Sequence, residues 1–273
     1  MTSIDGKKIA AAHIADFQIK KQPEKFLAAF CVGENQSSII FLKQKKRVAD
    51  ILRVEFRLVT FSQNIEESEL CREIKKMGED SMCGGIIVQL PLPSHFNVAT
   101  MLNTIPYEKD IDVLSDEARR RCKEGINLIY PPAVGACKTI IKEHYGVSDV
   151  TNKIVAVVGL GMLVGSPITE WFRGKCKELI LIDKGDGYQK IKNVDIVICG
   201  TGVPHLIDIT MVKQDALIID FGYGEKNGVV CGDFSPSSIG DKEEDNITYT
   251  PTPGGTGPIL VAQLFENFFT INS

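Results

Sequence analysis

Seven short apolar runs alternate along the chain with segments of helical period, and this alternation constrains the fold more than any other feature. The runs predict strands at Phe26–Val32, Arg57–Phe61, Gly85–Gln89, Lys153–Gly159, Glu178–Asp183, Asp195–Cys199 and Ala216–Phe221. Helices are predicted over Ser37–Val54, Glu66–Met77, Ala133–Tyr145 and Pro258–Thr270. Strands that alternate with helices favour parallel sheets, with strands buried on both faces beneath covering helices.

Length and proline punctuation indicate two α/β domains. The chain has 273 residues, which is enough for two domains of ordinary size. Prolines cluster at 91–93 and 131–132, after the third predicted strand, and they bias their neighbours away from helix. Because the later strands already complete a second sheet, we expect the last helix to return to the first domain. The expected domains are therefore 1–137 with 255–273, and 138–254.

Composition argues against two classes of partner. Apolar residues make up 44% of the chain and charged residues 24%, with a net charge of -4 and scattered basic residues. No basic patch indicates nucleic-acid binding, and no apolar run reaches membrane-spanning length. The eight cysteines form no C-x-x-C pair, which favours free thiols in a reducing cytoplasm over a disulfide framework or a metal site.

The fourth predicted strand leads into a glycine-rich turn that is typical of dinucleotide binding. Gly159 ends the strand, and Gly161 and Gly165 follow before a predicted helix, one residue further apart than in the usual fingerprint. The first glycine permits a tight turn, the second lets phosphates approach the backbone, and the third allows close packing of helix on strand. The amides and dipole of the helix start would then hold a pyrophosphate. The predicted contacts in this turn include Leu163 and Val164.

Later strand ends extend the predicted dinucleotide site. Asp183 ends the next strand, where a carboxylate accepts hydrogen bonds from ribose hydroxyls and repels the 2′-phosphate of NADP. This favours NAD over NADP, although Lys184 beside it could offset the charge. Thr201, Gly202 and Gly222 follow two further strands, and small residues there suit the passage of a ribose or nicotinamide. The alternative interpretation is a set of ordinary turns in a non-binding domain.

Three stretches outside these turns are more specific. In G-G-I-I-V-Q-L-P-L-P at 84–93, a buried strand ends in the polar Gln89 and two prolines follow. The second stretch is K-D-I-D at 109–112. The third is T-P-T-P-G-G-T-G-P at 250–258, where prolines and glycines fix the backbone just before a helix.

Together these motifs resemble the bifunctional methylenetetrahydrofolate dehydrogenase/methenyltetrahydrofolate cyclohydrolase family. The resemblance begins at I-D-G-K at 4–7, includes G-D-F at 232–234, and covers nearly the whole chain. It implies an N-terminal catalytic domain with a parallel sheet, a C-terminal Rossmann-type dinucleotide-binding domain, and a cleft between them. It also implies a homodimer that uses NAD or NADP and acts on one-carbon derivatives of tetrahydrofolate, and the free thiols place it in the cytoplasm.

The resemblance further implies roles for individual residues. The family's Y-x-x-x-K motif reads F-L-K-Q-K here, so Lys45 would be the main acid/base residue and Phe41 would keep the stacking but not the hydroxyl. Gln89 would orient Lys45, and Asp112 would accept hydrogen bonds from the amino-pyrimidine edge of the pterin. Further substrate contacts are implied at Pro251, Gly254 and Gly255.

The implied reaction is oxidation of 5,10-methylenetetrahydrofolate to the methenyl form, followed by hydrolysis to 10-formyltetrahydrofolate. The chain departs from the family pattern in five places: at Phe41, at Val113 and the residues after it, at 130–133, at Leu160 in the glycine turn, and at 259–260. These departures leave open a cyclohydrolase alone, a non-catalytic paralogue, or another oxidoreductase of the same fold. The retention of Lys45, Gln89 and Asp112 together counts against a non-catalytic paralogue.

Overall fold

The computed structural model describes residues 1–236 and 246–273, which form two compact units. Met1–Ala10 and Ala133–Leu260 form the first, which we call the six-stranded unit. Ala11–Pro132 and Val261–Ser273 form the second, the three-stranded unit. The expected domain boundaries stay a prediction, and these units differ from them most at the N-terminus, which belongs to the six-stranded unit.

The strands and helices alternate along most of the chain. The strands are β1 (Thr2–Ser3), β2 (Phe26–Val32), β3 (Phe56–Phe61), β4 (Cys83–Val88), β5 (Val150–Val158), β6 (Cys176–Ile182), β7 (Ile196–Cys199), β8 (Ile207–Asp208), β9 (Leu217–Asp220), β10 (Gly224–Lys226), β11 (Val229–Cys231), β12 (Phe234–Ser235) and β13 (Thr248–Tyr249). The α-helices are α1 (Gly6–Gln18), α2 (Gln36–Ile51), α3 (Glu67–Glu79), α4 (Val98–Asn103), α5 (Asp116–Lys123), α6 (Pro132–Tyr145), α7 (Gly165–Phe172) and α8 (Thr256–Ile271). Short 3-10 turns lie at Tyr107–Lys109, Tyr188–Ile191 and Ile209–Met211.

The three-stranded unit is built on a parallel sheet in the order β3-β2-β4. Every residue of β2 and β4 is buried, as their continuous apolar runs predict. The apolar side of α8 supplies Leu264, Phe265 and Phe268 to the core beside this sheet. Helix α2 begins after Asn35, whose side chain accepts a hydrogen bond of 3.0 Å from the Ser38 N–H. The Asn35 side chain thus sets where α2 starts.

The six-stranded unit is built on a parallel sheet in the order β1-β13-β9-β7-β5-β6. From β5 the chain passes to β6 on one side and then to β7 on the other. The carboxyl ends of β5 and β7 therefore flank a topological switch point, which is where open α/β sheets bind ligands. The sheet is larger than the sequence indicates, because β1 and β13 add two-residue strands at its far edge.

The expectation that every predicted strand is buried on both faces is wrong for β3 and β6. Both are edge strands in which exposed and partly buried residues are mixed, and Leu58 in β3 is 47% exposed. The helices that cover the centre of each sheet leave part of an edge strand in solvent. Among the described residues, no helix combines the length and the apolar character needed to cross a bilayer.

Candidate active site

A lysine and an amide meet where α2 passes the end of β4. Lys45 Nζ donates a hydrogen bond of 3.0 Å to Gln89 Oε1. Gln89 is itself held at two points: its backbone N–H donates to the Phe30 carbonyl at 2.9 Å, and its side-chain N–H donates to the Leu90 carbonyl at 2.7 Å. Because Gln89 is buried and fixed, its oxygen is a preorganised acceptor for the lysine. Phe41 precedes Lys45 by about one helical turn on α2.

Asp112 is coupled to this group through its charge. Its charge interacts with that of Lys45, so the two side chains belong to one electrostatic site. Burial lowers the pKa of Lys45 from its ordinary value, and the nearby Asp112 carboxylate opposes this shift. Burial raises the pKa of Asp112, and Lys45 opposes that shift in turn. An amine that loses its proton more readily than an exposed lysine is suited to acid/base work near neutral pH.

The lysine of the K-D-I-D motif has a structural task. Lys109 Nζ donates hydrogen bonds of 2.7 Å to the carbonyls of Gly78 and Asp80 at the end of α3. These carbonyls are among the last of the helix and lack partners within it, so a cation there satisfies them and complements the helix dipole. The motif therefore fixes the segment that carries Asp112 to the end of a neighbouring helix.

The first aspartate of the motif is fully buried and shapes the turn after Asp112. Asp110 Oδ2 accepts hydrogen bonds from the N–H groups of Leu114 at 3.0 Å and Ser115 at 2.7 Å. Val113 lies inside this turn with φ of 56°, a left-handed conformation that β-branched residues rarely adopt. This position is the one where the resembled family has glycine, so the sequence departure carries a backbone strain.

The glycine turn after β5 has the geometry that a dinucleotide site requires. Gly159 has φ of 84°, and a Cβ there would lie 2.7 Å from Thr201 Cγ2. A Cβ on Gly165 would lie 1.8 Å from the Gly159 carbonyl oxygen, so α7 packs against the turn more closely than any side chain permits. At Gly161, by contrast, a Cβ would meet nothing within 4 Å. A tight turn, an open face and a closely packed helix start together fit a pyrophosphate.

The other predicted contacts of this turn lie on its rim. Leu163 is exposed, and Val164 is the residue that immediately precedes α7. Asp183 follows β6 and is exposed, with its N–H donating to Asp186 Oδ2 at 2.8 Å. Lys184 is exposed as well. The Asp183 carboxylate is thus available to a ligand at the end of the strand next to the glycine turn.

The loops that follow β7 and β9 are each held by a buried carboxylate. Thr201 and Gly202 follow β7, and the Thr201 N–H and hydroxyl donate to Asp233 Oδ2 at 2.6 and 2.9 Å. Gly222 follows β9, and its N–H donates to Asp220 Oδ1 at 2.7 Å. All three predicted contact residues therefore lie at the carboxyl ends of strands next to the switch point.

The proline- and glycine-rich stretch before α8 packs against the N-terminus. The Gly255 N–H donates to the Pro251 carbonyl at 2.7 Å, and Gly254 has φ of 105°. A Cβ on Gly6 would lie 1.7 Å from the Gly255 carbonyl oxygen, so only glycine fits there. The motif at 4–7 and the motif at 250–258 thus form one packed feature of the six-stranded unit. Phe41, the remaining predicted substrate contact, belongs to the three-stranded unit.

Sequence reasoning missed the buried carboxylates that shape the site. Asp110, Asp220 and Asp233 accept hydrogen bonds from the backbone of the loops that carry the predicted contact residues. All three occur within or beside motifs already recognised in the sequence. The available signal was an aspartate at the end of an apolar strand or within a glycine-rich turn, where it caps backbone N–H groups.

The paired carboxyl groups predict a pH dependence of stability. Burial, together with the charge of Asp233, raises the pKa of Asp220 to about 6, although the backbone N–H groups of Phe234 and Gly222 oppose the shift. Since the unfolded value is near 3.9, the folded state binds more protons between these values and loses stability as the pH rises through them. Asp233→Asn removes one charge, so we expect its stability relative to wild type to be greater at about pH 8 than at about pH 5, by roughly 1 kcal/mol or 2–4 °C in Tm. Thermal melts at both pH values measure this, and an equal difference at both contradicts it.

Fold and site together define the class of protein. One unit offers a glycine turn, an exposed carboxylate and small loops around the switch point of a parallel sheet, which is the arrangement of a nicotinamide dinucleotide site. The other offers a partly buried amine that is fixed by an amide and coupled to a carboxyl group. This combination is that of a two-unit α/β oxidoreductase with a separate acid/base centre.

Comparison with known proteins identifies the family. Residues 4–112 match the tetrahydrofolate dehydrogenase/cyclohydrolase catalytic domain, and residues 131–273 match the NAD(P)-binding domain of the same family. The bifunctional protein FolD of Hydrogenobaculum is 32% identical, with 98% of this chain and 97% of that protein covered. FolD of Aquifex aeolicus is 31% identical, with 97% and 92% covered.

Solved structures agree with this assignment. The crystal structure of the bifunctional FolD dehydrogenase/cyclohydrolase from Campylobacter jejuni has a TM-score of 0.90 at 26% identity, covering 100% of this chain and 98% of that one. A 5,10-methylenetetrahydrofolate dehydrogenase from the silkworm Bombyx mori has a TM-score of 0.86 at 27% identity, covering 100% and 98%. The chain belongs to the tetrahydrofolate dehydrogenase/cyclohydrolase family.

Proposed function

We propose that this protein oxidises 5,10-methylenetetrahydrofolate to 5,10-methenyltetrahydrofolate with a nicotinamide dinucleotide and hydrolyses the product to 10-formyltetrahydrofolate. Family membership and the two domain matches support both activities. The observation that carries the proposal is the Lys45–Gln89 hydrogen bond beside Asp112. A fixed amine next to a carboxyl group is unnecessary for a binding protein and useful for proton transfer.

In the oxidation, the protein's own residues bind and orient the reactants. When bound, the dinucleotide supplies a hydride acceptor for the methylene carbon. Asp112 would hold the pterin through its amino-pyrimidine edge, and Phe41 would provide an apolar face for stacking. Correct placement of donor and acceptor is the main contribution a protein makes to hydride transfer.

In the hydrolysis, Lys45 would act as the general acid/base. Water attacks the cationic methenyl carbon, one C–N bond breaks, and one proton is released as 10-formyltetrahydrofolate forms. The lowered pKa of Lys45 makes its neutral amine accessible, and this amine would take the proton from the attacking water. Gln89 would keep the amine aimed by accepting its hydrogen bond of 3.0 Å. The ammonium so formed would then return the proton to the leaving nitrogen or to solvent.

The cofactor is proposed to be NAD rather than NADP. The support is the exposed Asp183 at the end of β6, because a carboxylate at this place binds ribose hydroxyls and repels a 2′-phosphate. We also propose a cytoplasmic location, supported by eight cysteines that are all free thiols. A homodimer is proposed from the family resemblance alone.

A spectrophotometric assay of the purified protein tests the proposal. We expect methylenetetrahydrofolate to reduce NAD faster than NADP, and the absorbance of added methenyltetrahydrofolate to fall faster than it does without protein. Hydrolysis without reduction of either dinucleotide would leave a cyclohydrolase alone. A failure to turn over either folate would contradict both activities.

Changing Asp183 tests the cofactor preference. Asp183→Ser removes the repulsion of a 2′-phosphate, and we expect the ratio of kcat/KM for NADP to that for NAD to rise by about ten- to a hundredfold, or roughly 1.4–2.8 kcal/mol. Lys184→Ala is the matched control, because it removes the neighbouring positive charge and should shift the ratio further towards NAD. Steady-state kinetics with both dinucleotides measure the ratios. Equal ratios in Asp183→Ser and wild type would show that the carboxylate does not contact the ribose.

A further inference from the structure

Two buried carboxyl groups lie beneath the loops that follow β7 and β9. Asp220 and Asp233 are 1% and 0% exposed, and each has an atom within 4.8 Å of the other and of the Cys199 thiol. Asp233 Oδ1 is buried without a hydrogen-bond partner. Such a pair is costly, because desolvation and mutual repulsion both oppose its ionisation. The folded protein tolerates this unfavourable free energy, so the contacts of the two carboxyl groups indicate their role.

Asp233 holds the turn after β7. Its Oδ2 accepts hydrogen bonds from both the N–H and the hydroxyl of Thr201, at 2.6 and 2.9 Å. The hydroxyl oxygen in turn accepts from the Val203 N–H at 3.1 Å. Between them, Gly202 has φ of 71°, a conformation open to few other residues. One carboxylate oxygen therefore sets the backbone path over residues 201–203.

Asp220 holds the loop after β9 in the same way. Its Oδ1 accepts from the Gly222 N–H at 2.7 Å, and its Oδ2 accepts from the Phe234 N–H at 2.9 Å. The Asp220 backbone is anchored by Thr250, whose hydroxyl accepts from the Asp220 N–H at 2.7 Å. The two oxygens thus connect the loop at 222 to the segment that carries Asp233.

The two loops interlock through the carboxyl groups. A Cβ on Gly222 would lie 2.2 Å from Asp233 Oδ1, and a Cβ on Gly232 would lie 2.0 Å from Asp220 Oδ2. Each carboxyl group fills the place of a missing side chain, so neither loop can shift without displacing the pair. A bound cation is a poor explanation of the cluster, because three of the four carboxylate oxygens already accept hydrogen bonds from backbone N–H groups.

We propose that Asp233 is a positioning residue for dinucleotide binding: it holds the 201–203 turn, with Asp220 holding Gly222 beside it, in the shape that receives the ribose and nicotinamide. The inference rests on the proposed function, since it takes Thr201, Gly202 and Gly222, which the sequence predicts as dinucleotide contacts, to lie against the bound cofactor. Asp233 does not itself touch the ligand. It acts by fixing N–H groups and glycines at the carboxyl ends of β7 and β9, next to the switch point.

Binding of NADH to the full-length protein, followed by its fluorescence, tests this. Asp233→Ala removes the acceptor of both Thr201 bonds, and we expect the Kd for NADH to rise by about thirtyfold or more. Thr201→Val keeps the shape of the side chain but loses the hydroxyl, so a rise of about three- to tenfold is expected. Asp233→Asn keeps one acceptor oxygen for Thr201 and places an amide beside Asp220, so it should stay within about threefold of wild type.

Asp195→Ala is the matched control for general loss of stability. Asp195 lies at the opposite, amino end of the same sheet, where its Oδ2 accepts from the Ile154 N–H at 2.7 Å. Its other oxygen accepts from Lys213, so this carboxylate also anchors backbone. We expect Asp195→Ala to lower the Tm without changing the Kd for NADH by more than about twofold. Hydrolysis of methenyltetrahydrofolate, which consumes no dinucleotide, should persist in Asp195→Ala.

The outcomes separate the inference from the proposed function. A Kd for NADH that is unchanged in both Asp233→Ala and Thr201→Val overturns the inference, as does a loss in Asp233→Asn equal to that in Asp233→Ala. If Asp233→Ala does not fold, the Kd values of Thr201→Val and Asp233→Asn for NADH test the inference by themselves. Wild-type protein that binds NADH but turns over no folate contradicts the proposed function and leaves the inference standing.

Discussion

Replacing Lys45 by methionine is expected to lower the rate of methenyltetrahydrofolate hydrolysis by about a hundred- to ten-thousandfold, the range that general acid–base catalysis contributes. Methionine keeps most of the side-chain length and removes the amine. The reason for so large an effect is that the Lys45 amine is held by Gln89 and has a lowered pKa. Water in the same place could not combine the fixed position with the tuned basicity.

The oxidation should respond differently to the same change. Hydride transfer depends on the orientation of the reactants rather than on a proton acceptor. We therefore expect Lys45→Met to lose much less of its rate of NAD reduction than of its rate of hydrolysis. Methenyltetrahydrofolate would then accumulate, and its absorbance provides the measurement. The hydrolysis rate of Gln89→Leu should lie between those of wild type and Lys45→Met, because this variant keeps the amine but removes the acceptor that orients it.

Lys43→Met is the matched control for this prediction. Lys43 lies on the same helix, two residues before Lys45, but it is exposed and on another face. The substitution makes the same change in charge and side chain, so it should leave both rates within about twofold of wild type. Retention of more than about a tenth of the hydrolysis rate by Lys45→Met would assign the proton transfer to another group.

The sequence predicts the interior strands well and the rest of the sheets poorly. The run at Phe26–Val32 is the observed β2 because a strand buried on both faces leaves a continuous apolar record. The two-residue β1 and β13 leave no such record, since their pairing is decided by tertiary contacts between distant parts of the chain. The exposure of β3 likewise depends on tertiary structure, because it is decided by which part of the sheet the helices cover.

In the candidate site, too, the sequence predicts local features but not those that depend on tertiary contacts. The roles of Lys45, Gln89 and Asp112 follow from the family resemblance, and helical spacing alone places only Phe41 and Lys45 on one face. Their convergence depends on how α2 passes the end of β4. For the buried Asp233, the only local signal is an aspartate beside a glycine in G-D-F, and this pattern does not distinguish an acceptor for backbone N–H groups from an exposed acid.

Alanine substitutions at two glycines of the turn are both expected to weaken NADH binding, but only one of them is expected to lower the Tm. Gly165→Ala places a methyl group 1.8 Å from the Gly159 carbonyl oxygen, so α7 must move away from the turn. Overpacking of this kind costs about 3 kcal/mol or more against a rigid backbone, and we expect the Tm to fall by roughly 6–12 °C. The Kd for NADH should rise by about a hundredfold, because the amides at the helix start leave the pyrophosphate.

Gly161→Ala should leave the fold intact and impair only the ligand. A Cβ at this position meets nothing within 4 Å and the glycine has no positive φ, so the Tm should stay within about 1 °C of wild type. The same methyl group would stand where phosphates approach the backbone, and the Kd for NADH should rise by about tenfold or more. Hydrolysis of methenyltetrahydrofolate should be unchanged.

Thermal melts and NADH fluorescence on the two variants separate the two roles, because each variant is the control for the other. A loss of stability in both would mean that the open face at Gly161 is filled in the folded protein. Wild-type affinity for NADH in Gly161→Ala would place the pyrophosphate elsewhere, since a phosphate in contact with this backbone cannot tolerate the added carbon.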